Sequence, residues 1–406
     1  MNAYNDASLI AYPSGYKESK IYAQKPIDGT GDLTFARASS ATRVNEQGLI
    51  EVVATNVPRI DFTGGGCGKL LLEGQRTNYS LYSDDLTQFI QSGTITLTSG
   101  QADYNGNTNA YKVNNGTTSS YIYLNDGGIS VGVVATYSAY IKNVDASTSQ
   151  IYSRFSNTAF IINLNWTGTV LTSLTAVSSE TLISYDFEEL SGGFYRVWAT
   201  YTTRDATQKF RIYPSVGSSN ENIIYGGHQV EEGSYETSLI NTSGTTVTRV
   251  ADSSSTTGLS SVIGQTEGVL YAKIASFTNT SPISSVINIS DGSSSNQIAI
   301  WYGTNLNEFK ILIRQSGNKL FHTTTLTDAT QFIKVAVLYK SGGSKVYING
   351  SLITSSTSTF TFTNPLSVVD FGGIGLGNVD FNGKLQELQL FPSALDDATL
   401  ATLTTL

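Results

Sequence analysis

Two segments near the middle of the chain alternate between apolar and polar positions with a period of two. Residues 135–144 read ATYSAYIKNV and residues 194–201 read FYRVWATY, and Gly192-Gly193 supplies a turn just before the second. Alternation with aromatic and β-branched enrichment is typical of half-buried β-strands. Similar segments recur between Asn78 and Ser238 with turn residues about every 8–12 positions, which predicts an antiparallel sandwich of the jelly-roll kind.

A second series of strand-like segments begins near Gly268. Between two of them, the dipeptide Asn349-Gly350 predicts a tight hairpin of type I′. Residues 392–403 predict one short helix, with Ser393 as its N-terminal cap. The predicted strands of this series are Val269–Phe277, Ser285–Ser290, Gln297–Tyr302, Glu308–Arg314, Phe332–Tyr339, Lys345–Ile348, Ser351–Thr354 and Lys384–Phe391.

The rest of the chain sets the predicted domain boundaries. Residues 1–76 hold strand-like pieces broken by Gly and Pro, too short to be stable alone, so we expect them to pack on a neighbouring domain or a partner protein. Residues 241–261 are rich in Ser and Thr and predict a linker. We therefore predict an N-terminal module (1–76), a sandwich (77–240), a linker (241–261) and a second sandwich (262–406) that folds when excised.

Composition supports an all-β fold and excludes several functions. Charged residues are 14% of the chain, against roughly 25% in an ordinary globular protein, while 11% are aromatic. The net charge is −8 and no Lys/Arg cluster occurs, so we expect no binding to nucleic acid. No window of about 18 consecutive apolar residues occurs, so we expect no membrane insertion. The N-terminus has no secretory signal pattern, which predicts synthesis in the cytoplasm without export.

Catalytic patterns are weak in this sequence. Adjacent carboxylates such as Glu231-Glu232 and Glu188-Glu189 point to opposite faces of a strand, so they cannot act together on one sugar. The two histidines, His228 and His322, have no accompanying nucleophile motif, and we interpret both as structural. We therefore predict no catalytic residue and no enzyme activity.

Sugar binding requires exposed aromatic rings with amide groups beside them. Trp301 and Tyr302 lead into a loop with Asn305 and Asn307, and Trp166 lies at a predicted hairpin tip. These five residues are the candidate glycan-binding residues. The alternative is that the rings are core, since tryptophan is highly buried on average; for the adjacent pair, strand alternation would expose one ring unless another part of the protein covers it.

Four arginines lie in the first 76 residues, each among small and polar neighbours. Arginine can bind carboxylates and backbone carbonyls in a fixed geometry, which suits irregular segments that must be held together. These residues could equally face a partner protein, and both interpretations stay open at this point. The four are Arg37, Arg43, Arg59 and Arg76.

Three groups of motifs resemble known families. The first resembles an N-terminal module that recurs in structural proteins of tailed bacteriophages and prophages, on residues 35–50 (FARASSATRVNEQGLI), 56–59 (NVPR) and 70–78 (LLLEGQRTN). The second resembles the end of a carbohydrate-binding-module-like jelly roll, on residues 194–199 (FYRVWA), 226–237 (GGHQVEEGSYET) and 247–252 (VTRVAD). The third resembles a laminin-G/concanavalin-like lectin sandwich, on residues 332–353, which contain KVYINGSLI, and 383–395 (GKLQELQLFPSAL).

The resemblance implies a bacteriophage virion structural protein, of the tail-fibre, tail-tip or capsid-decorating head-fibre type. Its expected place is the virion surface, after synthesis in the host cytoplasm and release by lysis. Its expected partners are other virion proteins, copies of itself (commonly a trimer) and host-surface polysaccharide. The alternative is a glycan-active enzyme or its non-catalytic carbohydrate-binding accessory module.

Lectin-like sandwiches of this kind often carry a structural calcium ion held by carboxylates and loop carbonyls. Asp252, at the end of VTRVAD, and Asp291, in SDGSSSN, are the candidate ligands. Neither lies in a dense acidic loop such as that of an EF-hand. Calcium is therefore an expectation drawn from the resemblance, with these two residues as its candidates.

Overall fold

A computed structural model describes residues 3–154, 159–178, 181–279, 285–373 and 380–406. Strands dominate, and the all-β prediction with two β-sandwiches is confirmed. The α-helices are α1 (Ala3–Asp6) and α2 (Asp397–Thr404), with single 3-10 turns at Leu86–Gln88 and Ser191–Gly193. In these parts of the chain, no helix is long and apolar enough to cross a membrane.

The strands are numbered in chain order. Those before residue 80 are β1 Leu9–Ala11, β2 Tyr16–Lys17, β3 Lys20–Ile21, β4 Leu33–Ala36, β5 Ala41–Val44, β6 Ile50–Val53, β7 Ile60–Asp61, β8 Lys69–Leu72 and β9 Arg76–Asn78. The next are β10 Ile90–Ser92, β11 Ile95–Gln101, β12 Ala110–Asn115, β13 Tyr121–Tyr123, β14 Asp126–Gly127, β15 Val134–Asn143, β16 Thr148–Arg154, β17 Ala159–Thr167, β18 Val170–Ser178, β19 Leu182–Glu189, β20 Tyr195–Thr202, β21 Thr207–Gln208, β22 Phe210–Tyr213 and β23 Asn222–Glu232. The last are β24 Val247–Arg249, β25 Ser253–Thr256, β26 Glu267–Ser276, β27 Ser285–Ser290, β28 Asn296–Tyr302, β29 Glu308–Gln315, β30 Asn318–Thr325, β31 Ile333–Lys340, β32 Ser344–Ile348, β33 Ser351–Ser356, β34 Val368–Asp370 and β35 Gly383–Phe391.

The middle sandwich consists of two six-stranded sheets. One has the strand order β10-β13-β22-β16-β17-β18 and the other has the order β11-β12-β23-β15-β20-β19. Their inner faces form one core in which the rings of Tyr137 and Phe210 stack at 4.1 Å between centroids. The predicted alternation in residues 135–144 and 194–201 corresponds to β15 and β20, which pair directly with each other.

The C-terminal sandwich draws strands from both ends of the chain. Sheet I has the order β33-β32-β31-β26-β35-β8-β7, and β1 also pairs with β35. Sheet II has the order β2-β3-β4-β25-β34-β27-β28-β29-β30. Apolar side chains from both sheets meet in one core, to which Leu9, Phe35 and Leu70 contribute from the N-terminal segment. Six of the strands in the predicted N-terminal module, β1, β2, β3, β4, β7 and β8, are therefore part of this sandwich.

The middle sandwich is inserted into the C-terminal sandwich. Its two connections, β9 and β24, pair with each other as an antiparallel ribbon in which Thr77 lies opposite Thr248. The hydroxyl oxygens of these two threonines are 2.7 Å apart. We call this ribbon the neck. On its far side β25 pairs with both β4 and β34, so residues 241–261 contain ordered strands where a linker was predicted.

The hairpin β5–β6 joins the two sandwiches by packing. Val44 and Ile50 of the hairpin form an apolar cluster with Tyr140 and Phe194, which lie on the outer face of the middle sandwich. The ring of Tyr140 in turn stacks on Tyr104 at 4.4 Å. The N-terminal segment therefore contacts both sandwiches. Its short, interrupted strands are consistent with a segment whose pieces pack at several separate places.

A buried ion network lies beside the neck. Asp252 accepts hydrogen bonds from Arg37 at 3.1 Å, from Arg59, and from the backbone N–H of Glu73 at 2.8 Å. Glu73 in turn pairs with Arg59 and with Arg249, the latter at 2.7 Å. Burial alone would raise the pKa of Glu73, but the two guanidiniums hold that pKa well below its usual range. Arg37 and Arg59 thus bind internal carboxylates, which answers the question the sequence left open for them.

Candidate functional site

The adjacent rings at residues 301 and 302 are both buried. Tyr302 is 1% exposed and packs in the C-terminal core, edge-on to Phe309 at 5.2 Å. Trp301 points to the outer face of sheet II, as alternation requires, but it is only 7% exposed and packs with Val286 and Leu312. Neither ring presents a free face to a sugar, so the packing interpretation accounts for both.

The two asparagines beyond these rings hold the following loop. The amide of Asn305 donates to Glu308 Oε1 at 3.1 Å. Asn307 adopts a positive φ of 54°, its amide donates to the carbonyl of Thr327 at 3.2 Å, and its Oδ1 accepts from the N–H of Ala329 at 3.0 Å. Their polar groups serve the loop, and the structure does not gather them around an exposed ring.

Trp166 also belongs to a core. It is 8% exposed at the end of β17, and its indole N–H donates to the hydroxyl of Ser149 at 3.0 Å. Its ring meets Tyr195 edge-on at 5.7 Å. A buried tryptophan whose only polar atom is satisfied internally is a structural residue.

The two aspartates predicted as calcium ligands do not fit a calcium ion. Asp252 already binds the two guanidiniums of the buried network. Asp291 accepts from the backbone N–H and hydroxyl of Ser293 and from the amides of Asn296 and Asn364. Burial raises the pKa of Asp291, but these donors outweigh it and lower the pKa overall. Over the described ranges, no three His, Cys, Asp or Glu side chains gather at metal-binding distance.

His228 lies at the centre of a buried hydrogen-bonded chain. Its Nδ1 is 2.5 Å from the hydroxyl of Tyr225, and its Nε2 is 2.8 Å from Asp126 Oδ2. All three residues are at most 1% exposed inside the middle sandwich. This hydrogen-bonded series has the connectivity of a catalytic triad. Because all three side chains are buried, no substrate can reach them.

A groove of about 640 Å³ opens between the N-terminal segment and sheet I. This volume falls within the range of about 300–1,000 Å³ that is usual for ligand sites. One wall is the hairpin β5–β6, and the others are residues 12–16 after β1 and residues 60–68 around β7 and β8. Lys273 of β26 and Glu387 of β35 face each other on neighbouring strands and contribute from sheet I.

Aromatic side chains line this groove. Tyr12 is 37% exposed, and its hydroxyl donates to Glu387 Oε1 at 2.8 Å. Tyr16 and Phe62 are half-buried on the walls. The guanidinium of Arg43 lies 5.4 Å from the centre of the Tyr16 ring, which orients that ring by a cation–π contact.

The charges of the groove are nearly balanced. Arg43 pairs with Glu51, with Nε 2.5 Å from Oε1. Glu387 is held by the hydroxyls of Tyr12 and Tyr271, the latter at 3.1 Å. The groove therefore offers rings and paired polar groups but no strong field of one sign, an arrangement that suits a neutral polyhydroxylated ligand.

Sequence reasoning missed this groove for a physical reason. Its residues come from chain segments separated by more than two hundred positions, and no local pattern links Tyr12 or Arg43 to Glu387. The one available signal was the presence of several aromatic residues in a segment otherwise rich in Gly and small polar residues.

Comparison with known proteins identifies part of the C-terminal sandwich. Residues 270–401 match a family model, Laminin_G_3, described as the concanavalin A-like lectin/glucanases superfamily. No curated protein matches the chain. The match agrees with the lectin-like resemblance, although the sandwich also uses the N-terminal strands that lie outside the matched range.

Solved structures align with about a third of the chain at low TM-scores. The CBM40 domain of the Ruminococcus gnavus IT-sialidase bound to α2,3-sialyllactose is 19% identical, with 37% of this chain and 91% of that chain covered at a TM-score of 0.31. Domain 4 of AbnA, a GH43 arabinanase from Geobacillus stearothermophilus, in complex with arabinotriose, is 18% identical, with 38% and 73% covered at a TM-score of 0.30. Similarity at this level transfers no ligand and no residue role. Residues 270–401 are thus similar to the concanavalin A-like lectin/glucanases superfamily.

Proposed function

We propose that this chain is a bacteriophage virion structural protein that binds host-surface carbohydrate without cleaving it. The observation that carries the carbohydrate part is the groove, which combines the rings of Tyr12, Tyr16 and Phe62 with paired polar groups. Aromatic faces stack on the C–H surface of a pyranose, while carboxylates and guanidiniums bind its hydroxyls. The proposed ligand is a neutral oligosaccharide segment of a host-surface polysaccharide.

The virion part of the proposal is supported by the sequence motifs. Residues 35–50 contain the end of β4 in sheet II and most of the hairpin β5–β6 that forms a wall of the groove, and residues 70–78 contain most of β8 in sheet I and the neck strand β9. Attachment to other virion proteins, and self-association as commonly a trimer, therefore involve outer surfaces of the folded chain. The expected location is the surface of the virion, on a tail fibre, tail tip or head fibre.

Binding without catalysis is proposed because two of the three groove carboxylates, those of Glu51 and Glu387, are engaged. Glu51 is paired with Arg43, and Glu387 accepts hydrogen bonds from two tyrosine hydroxyls. A glycosidase needs one carboxylic acid and one carboxylate flanking the scissile bond, and a carboxylate held by other side chains is less available for either role. A reducing-sugar assay on purified host polysaccharide separates this proposal from the glycan-active alternative: released reducing ends that require Glu51 or Glu387 would contradict it.

The groove itself is tested with Tyr12→Ala in the full chain. Stacking is worth about 0.5–1.5 kcal/mol beyond area burial, so we expect binding of purified host-surface polysaccharide to weaken several-fold in calorimetry. Tyr12→Phe, which keeps the ring, should retain most of the affinity. Tyr185→Ala is the matched control, because Tyr185 is equally exposed at 37% but lies on β19, outside the groove. Unchanged affinity in Tyr12→Ala would overturn the assignment of the groove.

The virion assignment has its own experiment. Antibodies raised against the purified chain should label intact phage particles in negative-stain electron microscopy, and the labelled structure identifies tail or capsid. Particles from the producing lysate that carry no label, while free chain is abundant, would contradict the virion assignment and leave the groove experiment unaffected.

A further inference from the structure

The strand β18 forms an open edge of the middle sandwich. It is the last strand in the order β10-β13-β22-β16-β17-β18, and within the described ranges it pairs with β17 on one side and with no strand on the other. Two of its side chains, Val170 and Val177, are 53% and 64% exposed. An edge strand presents a row of unpaired backbone N–H and C=O groups, which is a template for pairing with a further strand.

The sequence of β18 lacks the features that usually protect an open edge. Proteins protect such edges with charged side chains, proline, bulges or very short strands. The strand reads VLTSLTAVS and contains no charged residue and no proline. Its pairing with β17 shifts register once, near Thr172, and stays regular over residues 173–178. That regular segment is about as long as a typical strand, so β18 keeps an edge to which another strand can be added.

The other edge strands of the two six-stranded sheets, β10, β11 and β19, each carry such protection. The strand β10 has only three residues. The pairing of β11 with β12 shifts register beside Gly100, which has a φ of 77°. The strand β19 carries the carboxylates of Asp186, Glu188 and Glu189. Pairing of β19 with its own copy would bring like charges together, which is destabilising, whereas two copies of β18 meet without charge repulsion.

The side chains of β18 are complementary to a second copy in antiparallel pairing. Leu174 and Ala176 pack on the core of the sandwich, whereas Thr175 between them points outward. Directly opposed residues of an antiparallel pair share one face of the sheet, so a twofold axis relating two copies must pass beside a residue. With the axis at Thr175, Leu174 of each copy lies opposite Ala176 of the other on the core side. With the axis at Ala176, Leu174 would lie opposite Ser178, and this apolar contact would be lost.

We propose that two copies of this chain associate through β18, with the two strands antiparallel and Thr175 beside the twofold axis. The six-stranded sheet of one copy then continues into the same sheet of the other. When a strand is added to an open sheet edge, main-chain hydrogen bonds supply the affinity and side chains supply the specificity. The interface is isologous and closes at two copies, so a trimer would require a different surface. The pairing depends neither on the groove nor on the virion assignment.

The oligomeric state of the full chain tests the proposal. Analytical ultracentrifugation of the wild type over a range of concentrations should show an equilibrium between monomer and dimer. Thr175→Lys should weaken the dimer by about tenfold or more, because it places two like charges directly opposite each other on the edge. Thr96→Lys is the matched control, because Thr96 is also an exposed threonine on an edge strand, β11. Its dimer should be as stable as that of the wild type.

A mixture of two variants tests the register. Thr175→Glu alone should also weaken the dimer, and an equimolar mixture with Thr175→Lys should restore it, because each lysine then lies opposite a glutamate. Melting temperatures close to that of the wild type show that the variants are folded, and Val177→Lys, at a 64% exposed position of the same edge, replaces Thr175→Lys if that variant does not fold.

Four outcomes would overturn the proposal. The first is a wild type that stays monomeric up to its solubility limit, and the second is a stable trimer. The third is a dimer that is dissociated by Thr96→Lys but not by Thr175→Lys, which would assign the interface to β11. The fourth is a mixture of the lysine and glutamate variants that stays monomeric, which would exclude the antiparallel pairing centred on Thr175.

Discussion

Replacing Asp252 with alanine tests the idea that the ion network beside the neck holds the N-terminal segment to the part of the chain that follows β24. Asp252 follows β24, whereas its partners Arg37 and Arg59 come from the N-terminal segment. All three side chains are fully buried. The substitution removes the one carboxylate that both guanidiniums share, and it also removes the acceptor of the Glu73 backbone N–H.

The size of the effect follows from what is left behind. Within the described residues, the hydrogen-bond acceptors that Arg37 keeps are the backbone carbonyls of Ser39, Val53 and Ala54. Arg59 keeps Glu73, which must then neutralise both Arg59 and Arg249. Breaking a buried ion pair by removing one partner typically costs about 3–5 kcal/mol, because the remaining charge stays buried without compensation. We therefore expect Asp252→Ala to lose about 3–5 kcal/mol of unfolding free energy.

Urea denaturation followed by circular dichroism measures this loss through the transition midpoint and its slope. Lys345→Ala is the control, because Lys345 pairs with Asp397 at 2.7 Å on the surface, and surface pairs contribute little. Its midpoint should stay close to that of the wild type. A loss below about 1 kcal/mol in Asp252→Ala, with an unchanged slope, would refute the view that the network stabilises the fold.

Two further predictions concern a buried acid and the domain boundary. Burial, reinforced by Glu188 and opposed by Arg196, raises the pKa of Glu236 from 4.5 to about 7. The stability that the protonated Glu236 contributes to the folded protein is therefore complete below about pH 4.5, and it is lost as the pH rises through 7. Glu236→Gln should therefore be more stable than the wild type by about 3 kcal/mol at pH 8 and by no more than about 1 kcal/mol at pH 5. Urea midpoints at both pH values measure the difference, and equal stability at pH 8 would contradict the raised pKa of Glu236. The excised fragment 262–406 lacks β1, β2, β3, β4, β7, β8 and β25 of its two sheets. Contrary to the prediction from the sequence, we therefore expect the fragment to be insoluble or to melt without cooperativity in calorimetry, and a sharp transition would support the predicted linker boundary.

Local patterns predicted the local structure well. The alternation at residues 135–144 and 194–201 gave two strands within one or two residues of their observed ends. Asn349 and Gly350 adopt positive φ values of 48° and 84°, as a type I′ turn requires. The C-terminal helix is present but begins later than predicted, with Asp396 as its cap in place of Ser393, since the Asp396 side chain accepts from the N–H of Thr399.

Long-range pairing was beyond the reach of these patterns. The sequence KLLL of β8 indicates a buried strand but does not indicate its partner. That partner, β35, is more than three hundred residues away along the chain. The Ser/Thr-rich stretch at 241–261 has the composition of a linker, yet β25 within it is fixed by neighbours from both ends of the chain. The groove and the buried ion network depend on the same long-range pairings, so no local sequence pattern predicted either of them.

The pairing of β1 and β8 with β35 has a consequence for the order of events during translation. The middle sandwich is contiguous in the chain and can fold as soon as residue 232 or so has left the ribosome. The N-terminal strands must wait for residues 383–391, which at about 5–20 residues per second is a delay of roughly 15–60 s. During that time the apolar edge of β8 has no partner, and such edges promote aggregation. Nascent chains of this protein should therefore depend on chaperones that shield their first strands until synthesis is complete.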